Sequence, residues 1–299
     1  MNVSTKLRLK KIINLFRHSP AYIFSDKTYL KLKFKKKMGY KLNLDNPKTY
    51  SEKLQWMKLY HHVPEYTQMV DKAESKDFVA SKIGKQYIIP TLGIWDNFDD
   101  IDFSKLPDQF VLKTTHDSGG VVVCKDKSKL NIKDTKAILT FSQKRDYYKT
   151  SKEWPYKNVP HRILAEKYME DETGELRDFK FFCFDGKVKA LFIASDRFTP
   201  GEETKFDFFD ENFNHLPFTN GHPNASHKIE KPQSFDEMKR LAEILSEGIP
   251  HVRVDFYNIN GQIYFGEMTF FHWGGMKPFE PIEWDYKFGE WITLPEKKI

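Results

Sequence analysis

The run Val252-Arg253-Val254-Asp255-Phe256-Tyr257 alternates apolar and charged residues, and Gln262–Thr269 returns after Asn258-Ile259-Asn260-Gly261. Strict alternation puts Arg253 and Asp255 on one strand face, and closure of the hairpin brings Glu267 toward them. Two carboxylates converging beside an arginine are costly unless a cation occupies the gap. Oxygen donors without sulfur or imidazole select Mg2+, with Mn2+ as the alternative. Two surface carboxylates with other partners are the plainer reading of the same spacing.

A second segment carries different chemistry. Gln109–Lys113 reads as a strand ending in lysine, then Thr114-Thr115-His116-Asp117-Ser118-Gly119-Gly120, then the apolar strand Val121–Cys124. Two glycines let the backbone approach a ligand and aim N–H groups at an anion, and the lysine adds a positive charge. The competing reading is a hairpin with an ordinary Gly-Gly turn. Asp178 and Lys180 share a strand face with Phe182 and Phe184, which reads as a surface ion pair. Asp207-Phe-Phe-Asp210 is an acidic cluster of the kind a metal-dependent glycosyltransferase uses. His61 and His62 are adjacent and cannot share a helix face as metal ligands. Nothing resembles a Ser-His-Asp or Cys-His set. Near the end, Phe270, Phe271, His272 and Trp273 precede Gly274-Gly275, with Trp284, Tyr286 and Trp291 beyond. Such rings stack on the C–H face of a sugar or fill a core.

Capping, turn and periodicity signals define the secondary structure around these groups. A helix over 46–62 starts at Ser51. Asp71 caps the next one, with Glu74 at the capping-box position and Gly84 at its end. Pro90 limits the following apolar stretch to a short strand and a turn. Residues 130–150 are helical and Ile163–Met169 a strand. Asp185-Gly186 joins two apolar strands, 178–184 and 187–194. Residues 199–233 read as a long loop or irregular hairpin. Ser234 caps a helix to Glu247, with Glu237 completing the box and Phe235, Met238, Leu241, Ala242 and Leu245 as its buried stripe.

This order of parts resembles the ATP-grasp superfamily of carboxylate–amine ligases. The strings YSEKLQWMKLY, PDQFVLKTTHDSGG, ILAEKYMED, DFKFFCFDGKV, VRVDFY and EWDYKFGEW resemble its TupA-like branch, associated with teichuronopeptide and capsular polysaccharide biosynthesis, over residues 40–295. The resemblance implies an α/β (α+β) fold of two α+β subdomains gripping ATP. It implies an ATP-grasp domain over residues 71–299, with a small ATP-covering subdomain at about 105–169 and a large one with the metal site at about 170–295. Lys113 matches the strand lysine that reaches ATP phosphates, and Ser118, Gly119 and Gly120 the phosphate-covering loop. Lys72 matches the other phosphate lysine, with Lys76 competing for the role. Glu166 and Lys167 match the adenine-reading hinge, with Tyr168 and Met169 at its wall. Asp178 matches the ribose acid, with Glu170 or Glu175 as alternatives. Arg253 matches the arginine that stabilises an acyl-phosphate, and Asp255 and Glu267 the Mg2+ ligands. Thr269 stands where many relatives carry a metal-binding Asn. The implied partners are a carboxylate-bearing sugar or polysaccharide precursor and an amine. Residues 1–70 show neither Rossmann-like strands nor a glycine fingerprint, so a basic, mainly helical region is expected there instead.

Composition agrees with a soluble, core-forming protein: 39% of the 299 residues are hydrophobic, against 30% charged. No run of about 18 apolar residues exists to span a bilayer. The start has no apolar segment followed by a small-residue cleavage site, so export is not expected and the cytoplasm is. The 2 cysteines, Cys124 and Cys183, lie in apolar runs and read as core. Residues 1–45 carry twelve lysines and arginines against two aspartates, although the whole chain is only +6. Leu7, Leu9, Ile12, Ile13, Leu15 and Phe16 are interleaved with them. That pattern suits peripheral contact with an anionic membrane face, Lys35, Lys36 and Lys37 leading, or a solvated helix packed on the body; nucleic acid is not expected.

Overall fold

The computed structural model describes residues 3, 5–7, 20–171, 177–196, 201 and 203–298. These group into two compact units. The first takes Val63–Phe78 and Ile89–Tyr168, with the described residues up to Tyr29. The second takes Leu30–His62, Val79–Ile88 and the chain from Met169 onward. Before β1 (Thr91–Trp95), the described residues form helices and turns, with an isolated bridge at His61 and no strand. Of the apolar stripe read at Leu7–Phe16, all but Leu7 lies outside the described residues.

The first unit is built on a four-stranded antiparallel sheet, order β1-β4-β2-β3, with β2 at Phe110–Thr114, β3 at Val121–Cys124 and β4 at Ile163–Lys167. Alternation along β2 buries Phe110, Leu112 and Thr114. Phe110 and Leu112 join Phe98, Leu106, Cys124, Leu139 and Ile163 in one core. Pairing of Val111 with Glu166 places Glu166 on the same face as Lys113. The helix Ile132–Gln143 is capped by Asn131, whose side chain accepts the Asp134 N–H at 3.0 Å.

The second unit holds a six-stranded antiparallel sheet, order β10-β9-β5-β6-β7-β8. The strands are β5 (Asp178–Phe184), β6 (Lys187–Ser195), β7 (Lys205–Asp210), β8 (His215–Leu216), β9 (His251–Ile259) and β10 (Gln262–Thr269). The helix Phe235–Leu245 covers one face through the expected stripe. The helices Tyr50–Tyr60 and Glu283–Glu290 serve the other, where Tyr50 meets Phe182, Phe184, Phe279 and Phe288 edge-on. β5 is thus buried on both faces, which its near-continuous Phe run reflects. Cys124 and Cys183 are both buried and unpaired with each other.

Of the two readings of the 199–233 segment, the irregular hairpin holds: β7 and β8 pair antiparallel within it. Three local expectations change. The helix expected from Ser51 is capped by Thr49 instead, in a reciprocal box with Glu52. Ser234 makes no capping bond, and Glu237 turns to Tyr87 and Arg240. The helix after Asp71 begins only at Ser75. There Asp71 accepts the Ala73 N–H at 2.8 Å and an Arg162 N–H at 2.9 Å.

Candidate active site

In the first unit, Glu166 is the centre of a buried ion triad. Its two carboxylate oxygens lie 2.6 Å from the ammonium of Lys76 and 2.6 Å from that of Lys113. Burial alone disfavours the charged form of Glu166, but Lys113 and Lys76 outweigh it and hold the carboxyl below its ordinary value. Lys76 also donates to the Ile89 carbonyl at 2.8 Å, so it is tied to the sheet from its helix. The glycine-rich tip has its own resident anion. Asp117, buried, accepts the N–H groups of Gly119 and Gly120 at 3.1 and 3.2 Å and the Thr114 hydroxyl at 2.6 Å. The Ser142 hydroxyl also donates to it, and these bonds overcome burial to keep its carboxyl low. Lys72 donates its ammonium to the Asp117 carbonyl. Ser118 and Gly119 face solvent.

In the second unit, the expected hairpin closes as read, with Glu267 opposite Asp255 and Thr269 opposite Arg253. Gly266 is the extra residue of a bulge between Phe265 and Glu267. A Cβ there would sit 3.1 Å from the Asp255 carbonyl, so a bare backbone is what lets Glu267 swing opposite Asp255. Arg253 grips Asp255 with two bonds of 2.7 Å and reaches Glu267 at 2.9 Å and the Thr269 hydroxyl at 3.1 Å. Lys180, opposite Asp255 on β5, approaches it to 2.5 Å and Asp178 to 3.4 Å. The Asp178–Lys180 pair is therefore part of a buried network, not of the surface. Burial opposes the charge on Arg253, but Asp255 and Glu267 more than compensate and hold it above its usual range. Burial pushes the Asp255 carboxyl up despite both cations.

The network extends to His272. Arg253 donates Nη1–H to His272 Nδ1 at 2.7 Å, so Nε2–H must donate to Asn220 Oδ1 at 3.0 Å. Burial, with Arg253 nearby, keeps this imidazole neutral. Asn220 is fixed in turn, giving its amide hydrogens to the carbonyls of Lys277 and Pro278 at 3.0 Å each.

Of the residues read from sequence, Lys113 and Glu166 meet in one unit, and Asp178, Arg253, Asp255, Glu267 and Thr269 meet in the other. Gly119 and Gly120 direct their N–H groups at Asp117, where an incoming phosphate was expected. Glu166 was read as part of the adenine hinge, and its side chain is committed to two lysines. Lys167 ends β4, and the unit division falls between Tyr168 and Met169. Glu175 lies outside the described residues. Lys180, Asp117 and His272 were missed as site residues. Asp117 was findable, since a carboxylate inside a Gly-rich turn binds its own backbone; Lys180 and His272 depend on pairings between distant segments.

The cation sets a further test. Among the described residues, no three His, Cys, Asp or Glu side chains gather to hold a metal. Asp255, Glu267 and the Thr269 hydroxyl suit Mg2+ of the kind that takes one or two carboxylates and completes its shell with phosphate and water. They do not suit a caged cation.

A sequence model of the TupA-like ATP-grasp family matches residues 52–293. The chain belongs to this family. No protein of curated function matches it. Among solved structures, a D-alanine–D-alanine ligase from Bacillus anthracis complexed with ATP is similar at 14% identity and a TM-score of 0.39, over 73% of this chain and 55% of its own. The ATP-grasp ligase PsnB complexed with a minimal precursor, Mg and ADP is similar at 10% identity and a TM-score of 0.38, over 74% of this chain and 57% of its own. This TupA-like ATP-grasp chain thus spans less than two thirds of the length of either.

Proposed function

We propose that this protein is an ATP- and Mg2+-dependent carboxylate–amine ligase of surface polysaccharide biosynthesis, activating a uronic-acid carboxyl and joining it to an amino acid or other amine. The observation that supports it most is the buried Arg253–Asp255 pair with the half-exposed Glu267 on the same sheet face in a TupA-like ATP-grasp chain. Lys113 and Lys76 take the nucleotide phosphates, Lys72 and Asp117 hold the Ser118–Gly120 turn, and Glu166 sets the positions of the lysines. Lys167 and Met169 line the adenine, and Asp178 serves the ribose. Asp255 and Glu267, with Thr269, are the residues for Mg2+, which supplies neutralisation of phosphate charge when bound.

The chemistry balances in two steps. A carboxylate oxygen of the substrate attacks the γ-phosphorus, forming the acyl-phosphate and releasing ADP. The amine nitrogen then attacks the acyl carbon, the C–O bond to phosphate breaks, and the nitrogen loses a proton to give the amide. Arg253 stabilises the oxyanion formed between these events, a task for a guanidinium that never loses its charge. No side-chain nucleophile is required.

The alternative, a glycosyltransferase of the same kind of pathway, would place its metal at Asp207 and Asp210. Both already serve the fold. Asp207 accepts the Ala225 N–H at 3.2 Å, and Asp210 accepts those of Asn212 and Asn214 at 2.9 and 2.8 Å. Thermal unfolding with a non-hydrolysable ATP analogue plus Mg2+ against UDP-sugars tests the choice. Stabilisation by the UDP-sugar alone would favour the transferase, and mass spectrometry of products from uronates and amino acids with ATP would then name the substrates.

No helix among the described residues is long and apolar enough to cross a membrane. We propose a cytoplasmic protein with peripheral contact. Tyr22, Ile23, Phe24 and Leu32 are exposed, and the helix Asp26–Met38 exposes Lys27, Lys31, Lys35, Lys36 and Lys37. Apolar groups among lysines suit a lipid headgroup layer better than a hydrated polyanion.

A further inference from the structure

Trp273 occupies a backbone conformation that bulky residues avoid: φ is 51° and ψ 21°, in the left-handed region. Such strain persists only where the surroundings over-determine it, and it collects at functional sites. The clamp is visible. From the helix Tyr50–Tyr60, Gln55 donates to the carbonyls of Gly274 and Gly275 at 3.0 and 2.9 Å, and Lys58 donates to that of Gly274 at 2.8 Å. This gives the QWMK stretch of that helix a task that its apolar stripe does not explain.

The clamp holds the indole out rather than in. Phe270 and Phe271 are buried, but Trp273 keeps 46% of its surface exposed. Phe206 stacks near it, with centroids 6.2 Å apart and planes 26° apart, and His222 lies 6.0 Å away. Gly221, at φ 98°, passes so close that a Cβ there would be 3.0 Å from the indole nitrogen. The ring is thus backed by aromatic and backbone groups, a rigid plate rather than a loose side chain. It also follows His272, which holds the Arg253 guanidinium at 2.7 Å. Plate and guanidinium are therefore fixed to each other through a single residue.

We propose that Trp273 is the stacking platform for the substrate, taking the C–H face of a pyranose ring whose carboxyl is offered to Arg253. A flat, half-exposed apolar plate one residue along the chain from the imidazole that holds the Arg253 guanidinium fits a ring that has an apolar face and an anionic substituent, a description a uronate meets and an acyclic carboxylate does not. Gln55 and Lys58 are positioning residues for it. The identity of the carboxylate as the reacting group rests on the ligase reading; the platform does not.

The test uses the full chain and its Trp273→Leu and Trp273→Gly variants. Glycine accepts the left-handed backbone, so the second variant removes the ring while relieving the strain. Saturation-transfer NMR and calorimetry measure binding of methyl β-glucuronide, methyl β-glucoside and acyclic glutarate. Thermal shift with an ATP analogue and Mg2+ runs alongside. The expected result is glucuronide binding tighter than glucoside, glutarate weakest, and about tenfold weaker glucuronide binding in both variants with the nucleotide shift retained. Unchanged glucuronide binding in the variants, glutarate binding as tightly as the glucuronide, or no pyranoside binding at millimolar concentration overturns the platform, even where the nucleotide shift is intact. Trp273-dependent glucuronide binding without any nucleotide shift keeps the platform and removes the ligase reading.

Discussion

Replacing Glu166 with glutamine asks how much the first unit depends on its ion triad. The substitution keeps shape and removes one charge. Glutamine has one oxygen, so it can accept from Lys76 or from Lys113, and its NH2 must face the other ammonium. In the wild-type protein both lysines are 2.6 Å from separate oxygens, with side-chain exposures of 11% for Lys76, 21% for Lys113 and 8% for Glu166. Exposed pairs contribute about 0–1 kcal/mol, but breaking a buried pair by removing one partner costs about 3–5 kcal/mol. Lys113 is a fifth exposed, which moves the expectation to about 3 kcal/mol, or a fall in Tm of roughly 5–12 °C. The acid limb gives an independent check. Because the folded carboxyl lies below its ordinary value of 4.5, its contribution is complete above that value and is lost as pH falls through the folded pKa. The gap between Glu166→Gln and wild type should therefore narrow on acidification. If Lys113 and Lys76 take phosphates, an ATP analogue should also stabilise the variant more than the wild type, by supplying the missing anion. Urea unfolding followed by circular dichroism reads all three. A loss under about 1 kcal/mol at neutral pH would show that solvent already screens the triad and would refute the reasoning.

Asp285 offers a second pH experiment. Burial raises its carboxyl to about 6, although it accepts the Ser51 N–H at 2.9 Å. A raised folded pKa makes the charge a cost above pH 6 that disappears below the ordinary value of 3.8. Asp285→Asn should then exceed wild type by about 2–3 kcal/mol at pH 8 and match it near pH 4, and a less stable variant at pH 8 would contradict this. Asp255→Asn leaves Arg253 and Lys180 without their shared anion. It should abolish the Mg2+-dependent part of the ATP-analogue shift, and a retained Mg2+ increment would remove Asp255 from the metal site. In cosedimentation with phosphatidylserine vesicles, wild type should pellet at low salt and not at high salt, and Lys31, Lys35 and Lys36→Glu should weaken pelleting, since each lysine contributes about 1 kcal/mol at such a surface. Equal pelleting of the two proteins would assign the basic face to another partner.

What the sequence determined by itself was local. The Asp185-Gly186 and Asn260-Gly261 turns select tight hairpins, and alternation along β2 and β9 assigns Lys113, Arg253 and Asp255 to their faces. Short connections leave few registers open, and a slip of one residue would expose the core side. The motif strings were enough to indicate the family over most of the chain. The tertiary structure decided which distant segments meet. Lys180 reaches Asp255 across 75 residues because β5 pairs with β9, and nothing in either strand names its neighbour. Lys76, not Lys72, joins Lys113 at Glu166, since a helix must dock on the sheet before its lysines have a partner. The same holds for the left-handed turn at Trp273, which Gln55 and Lys58 enforce from more than 200 residues away. Loop length costs little in free energy, so a sequence can specify its hairpins closely while leaving strand order and helix docking to be settled by the packing of the whole.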